Sequence, residues 1–208
     1  MKTIILLLSF QTAQAQNFGI KTIGVPSYDR VFRKAQQMNK TVTTTEQNTR
    51  KMKVNFNKAM QLSQKSTYEH GLQELQSRAQ SALKLTMRGN VPVITTKSAV
   101  PTRVKAGVNA LNMVCRTHTQ SLKQLATLPQ KSKDLKTRVQ NFPSTYRAEL
   151  SENPISILIH LSQFRTISRN MRTIGGLPQR VTDVIKRINY QLKTIFQSFG
   201  QHWQNRNQ

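Results

Sequence analysis

Two apolar stripes near the C-terminus restrict the fold of this chain most strongly. Ile157, His160, Phe164, Ile167, Met171 and Ile174 recur at alternating spacings of three and four. Val181, Ile185, Ile188, Leu192, Ile195 and Phe199 repeat the pattern. Such spacing puts every member on one face of an α-helix. Between the stripes stand Gly175-Gly176 and Pro178. Glycine takes the left-handed conformation of a helix C-cap, and proline suits a first helical turn. Asn153 and Pro154 supply an N-cap and an N1 residue for the first helix. The expectation is a helical hairpin over 153–200.

Upstream, residues 27–90 read as long heptad helices. Ser27 offers an N-cap, and Val31, Ala35, Met38, Val42, Thr45, Thr49, Met52, Phe56, Ala59 and Ser63 recur near a 3.5-residue period. That period is the coiled-coil signature, although Thr41 to Thr45 is β-branched and puts hydroxyls in the seam. Leu72, Leu75, Ala79, Ala82 and Thr86 continue on a shifted face after His70-Gly71, and Arg88-Gly89-Asn90 is a stop. Residues 91–101, bracketed by Pro92 and Pro101, form an extended connector suited to pairing with Phe18 to Val25. Helices over 102–142 carry Val104, Val108, Leu111, Cys115, His118, Leu122 and Leu125, then Leu135, Val139 and Phe142. The fold class is all-α: an elongated helical bundle with coiled-coil-like heptad helices and a C-terminal helical hairpin.

The N-terminus bears on compartment. Lys2, the apolar run Ile4 to Leu8 with Phe10, and Ala13-Gln14-Ala15 have the layout of a signal peptide over 1–15, which leaves 16–208 as one helical domain. Export implies the periplasm, the extracellular space or the cell surface. The single cysteine, Cys115, allows no intramolecular disulfide. Hydrophobic residues make up 37% of the chain and aromatics 6%, which suits helices with narrow apolar stripes.

The search for chemistry is negative. No Gly-rich phosphate loop, GxSxG, HExxH or CxxC occurs. Glu149 and Glu152 lie one helical turn apart, but no pair of acids forms a motif. The four histidines are too scattered for a metal site, and no cofactor or small-molecule substrate is expected. His118, His160 and Cys115 fall in seam positions and read as core residues.

Charge carries more information. The chain has 32 Lys and Arg against 8 Asp and Glu, a formal net charge of +24. Such a field attracts polyanions: anionic lipid, glycan or nucleic acid. Arg165, Arg169 and Arg172 form a stripe at spacings of four and three. Arg180 and Arg187, and Lys186 and Lys193, repeat at seven, and Arg50, Lys51, Lys53 and Lys58 cluster upstream. These are the candidate polyanion-binding residues. Aromatics do not interleave with them, so nucleic-acid contact would run through the backbone and be blind to sequence.

A signal of this form, heptad-bearing helices from Val31, an extended insert and the stripe from Val181 together resemble the minor pilus subunits of type IV secretion and conjugation machines. The resemblance implies an exported, helix-rich, non-enzymatic protein placed in an assembly, and it carries over no site residue. The expected function is therefore binding, as a component of a surface or secretion/conjugation assembly or on an anionic surface. A homo-oligomer through the heptad helices fits the same reading. The alternatives are a sequence-nonspecific nucleic-acid binder and a membrane-active amphipathic helical protein.

Overall fold

The structure, a computed structural model, describes residues 19–97, 99–151 and 157–203, and for 149–151 and 157–160 the backbone alone. The signal segment 1–15 and the Asn153-Pro154 cap lie outside the described residues. The elements, in order, are α1 (Pro26–Ala59), α2 (Tyr68–Ala79), β1 (Leu83–Arg88), β2 (Val91–Thr96), α3 (Thr102–Leu125), α4 (Leu128–Val139), α5 (Phe142–Ser151) and α6 (Ile157–Ser198). The fold is mainly helical, with one small sheet.

The α1 seam turns inward as its period requires. Ala35, Val42, Thr45, Thr49 and Phe56 are buried, chiefly against α3 and α6 of the same chain. Thr49 is satisfied within the helix: its hydroxyl donates to the Thr45 carbonyl at 2.9 Å. Such i−4 bonding lets a hydroxyl sit in a dry seam without an orphaned polar group. Ser63 leaves the seam, because α1 ends at Ala59 and the Ser63 side lies exposed in the turn beyond. Ser27 is not the cap. Pro26 occupies the first turn, and Asp29 reaches back to accept from the Ile23 and Gly24 backbone N–H groups at 2.7 and 3.0 Å.

The C-terminal hairpin is replaced by one helix. α6 runs unbroken for 42 residues through Gly175, Gly176 and Pro178. Neither glycine takes a positive φ. The reason is phase: Ile174 and Val181 are seven residues apart, so the two stripes lie on one continuous face. Ile167, Ile174, Leu177, Val181, Ile188, Leu192 and Ile195 along it are all fully buried. Breaking the helix would expose part of that face, and burying each such side chain is worth about 1.5–3 kcal/mol, which outweighs a proline's cost of about 3 kcal/mol.

The connector is also different from the expectation. β2 pairs antiparallel with β1, with Leu85 opposite Ile94, rather than with the N-terminal segment. α2 ends where Gln80 and Ser81 take positive φ of 44° and 67°, well before Arg88. Gly89 then makes the hairpin turn at φ 60°. Side-chain amides meet both outer edges at their centre. Asn112 donates to the Ile94 carbonyl at 2.9 Å and accepts from its N–H at 2.7 Å, and Gln201 donates to the Leu85 carbonyl at 3.2 Å. The β2 edge is thus paired at both Ile94 backbone groups and the β1 edge at the Leu85 carbonyl. The helical stretch that carries Leu135 and Val139 ends at Val139, and Phe142 opens α5 with Pro143 in its first turn.

Two cores result. One gathers the C-terminal half of α1 with α2, the hairpin, α3 and the C-terminal half of α6. The other gathers Ile20, Ile23, the start of α1, α4, α5 and the N-terminal half of α6. Asn170 ties the N-terminal strap down there, accepting from Lys21 N–H at 3.1 Å and donating to its carbonyl at 2.7 Å.

Candidate functional site

The cations of α6 stand mostly exposed, on the face turned away from the core. A helix advances about 100° per residue, so along one unbroken axis Arg165, Arg169, Arg172 and Arg187 fall within an arc of roughly 60°. All four are exposed. Lys186 and Lys193 are exposed on the flank of the same arc. The buried face of Ile174, Val181 and Ile188 points the opposite way. Continuity of α6 is what aligns Arg165 to Arg172 with Arg187; across a hairpin they would sit on separate helices. The ridge from Arg165 to Lys193 is roughly 42 Å long at 1.5 Å per residue.

The acids do little to offset it. Asp183 stands on the ridge and accepts from Gln179 at 2.8 Å. Glu69 accepts the Tyr190 hydroxyl at 2.9 Å, which pushes the phenol above its usual pKa. Among the described residues there are two ion pairs, Arg78–Glu74 and Arg180–Glu46.

Arg180 therefore leaves the candidate set. Its guanidinium donates to Asn39 at 2.7 Å, Thr43 at 3.4 Å and Glu46 at 2.9 Å, all on α1. It pins α6 to α1, with its charge committed to a fixed carboxylate. The α1 cluster is also not one patch. Lys51 and Lys58 are exposed on the side away from the seam, Arg50 is exposed beside it, and Lys53 is half-buried toward it.

Two of the three seam residues, Cys115 and His118, lie in the core, and the His160 side chain lies outside the described side chains. Cys115 is fully buried, and burial pushes its thiol up to about 12, which removes thiolate chemistry at ordinary pH. His118 is buried with its Nε2 2.5 Å from Gln191 Oε1. No group of three or more His, Cys, Asp or Glu side chains converges as a metal site among the described residues. No helix is long and apolar enough to cross a membrane among them. The Glu149 and Glu152 carboxylates lie outside the described side chains. Sequence reading overlooked Asn112 and Asn170, because the backbone groups they hold, at Ile94 and Lys21, are 18 and 149 residues away. Comparison with protein-family models, curated proteins and solved structures returned no match.

Proposed function

We propose that this is an exported, non-catalytic helical protein that works by binding, as a component of a surface or secretion/conjugation assembly or directly on an anionic surface. The observation that carries the reading is the exposed arginine ridge of α6, set against a net charge of +24. Arginine presents a planar fork that suits phosphate, sulfate and carboxylate oxygens, and a row of them binds an extended polyanion without reading its sequence. Export is supported by Lys2, the Ile4–Leu8 run and Ala13-Gln14-Ala15.

Two measurements test it. A short DNA duplex of random sequence, used as a generic polyanion, is titrated at several salt concentrations. The variant with Arg165, Arg169, Arg172 and Arg187 all changed to Gln should bind more weakly, with a log–log salt slope smaller by roughly three to four, as each lost phosphate contact removes about 0.9. An unchanged slope would remove the ridge from the reading. N-terminal sequencing of the protein from its native host should begin at Gln16, and an intact Met1 in a cytoplasmic fraction would sink the exported assignment.

A further inference from the structure

A second surface has different chemistry. α1 and α4 face each other across a groove of about 480 Å³. On α1 it is lined by Lys34, Met38 and Thr41, and on α4 by Leu128, Lys131, Leu135 and Arg138. The spacings of four and three place each set on one helix face. Leu128 and Leu135 are buried and Met38 is half-buried, so the floor is apolar. Lys34, Lys131 and Arg138 stand exposed at the rim, and none of them has an ion-pair partner among the described residues. The one acid present, Asp134, is held at 2.8 Å by Gln130. A volume of this size, an apolar floor and a few polar groups are the usual features of a small-molecule site.

We propose that the α1–α4 groove binds a single-chain anionic amphiphile of the long-chain carboxylate class. The alkyl chain lies on Met38, Leu128 and Leu135, and the head group sits at the Lys34–Arg138 end, with Lys131 on the rim along the chain. Leu128 and Arg138 are ten residues apart, roughly 15 Å along the helix, a length comparable to an extended chain of about ten to twelve carbons. The charge selects the head, since a carboxylate gains charge-assisted hydrogen bonds from the rim cations that a neutral head does not. The floor selects the tail, since a short carboxylate would leave it wet. The site lies on another pair of elements from the α6 ridge and stands independently of it.

Dodecanoate, below its micelle concentration and at physiological salt, is titrated calorimetrically into the full chain. One site per chain is expected. Shortening the probe by two carbons should weaken binding about tenfold. Butyrate and dodecyl maltoside should bind at least a hundredfold more weakly. Thr41→Trp, which fills the groove without altering charge, should abolish binding. The Lys34→Gln/Lys131→Gln/Arg138→Gln variant should weaken it at least tenfold, and melting curves will confirm that both variants remain folded. Changing Arg165, Arg169 and Arg172 to Gln should leave dodecanoate binding unaltered. Many weak sites, equal binding of butyrate or the maltoside, or indifference to both groove variants would each overturn the proposal.

Discussion

At the scale of single residues, His118 gives the clearest consequence. It is sealed between α3 and α6, with Gln191 on one ring nitrogen and no partner for Nδ1 among the described residues. Burial disfavours the imidazolium and lowers the pKa from 6.5 to about 4. The unfolded chain therefore takes up a proton below about pH 6.5 that the native protein refuses until about pH 4. Stability falls as pH drops through that window and levels off below it. The full shift corresponds to about 3 kcal/mol. Urea unfolding at pH 7 and pH 4.5 should show a larger loss for the native sequence than for His118→Gln, because carboxylate titration is common to both. Equal losses would show that His118 is not the sensitive group.

Glycines test the helical elements, because the two architectures give opposite signs. In α2, a Cβ on Gly71 would lie 2.7 Å from Cε1 of the buried Phe56 ring. Gly71→Ala should destabilise by about 1–2 kcal/mol, overpacking outweighing the gain in helix propensity. In α6, a Cβ on Gly176 meets nothing within 4 Å, and the residue is helical. Gly176→Ala should stabilise by up to about 1 kcal/mol. If Gly176 capped a hairpin in the left-handed conformation, the same change would destabilise instead, so a chemical melt distinguishes the two. The apolar faces of α1, α3 and α6 were legible as period, since burial alone dictates them. The seven-residue step from Ile174 to Val181 also announced one face, but Gly-Gly and Pro are strong local breakers and only the summed burial overrides them. β1 was hidden because Leu72, Leu75, Ala79, Ala82 and Thr86 keep a helical spacing past Gln80, where the backbone turns left-handed. The role of Arg180 was illegible for another reason: its partner Glu46 is 134 residues away.

For the whole molecule, the two cores are joined by the helices that cross both. α1 and α6 span roughly 51 and 63 Å at 1.5 Å per residue, and each contributes side chains to both cores. Losing one core would leave half of each helix without a packed face, and isolated helical segments of that size are marginal in water. The cores should therefore unfold together. The chain's one tryptophan, Trp203, packs on Phe196 at a ring distance of 5.0 Å and reports the first core, whereas Ile174 belongs to the second. Ile174→Asp buries an unpaired carboxylate and should cost about 3–5 kcal/mol, lowering the midpoint by roughly 10 °C in a domain of this length. The Trp203 fluorescence transition should move with the far-UV signal, by the same amount as for Ile188→Asp in the first core. A Trp203 transition left in place by Ile174→Asp would mean that the cores are separate folding units, and that α6 frays or breaks near Pro178 when the second one melts.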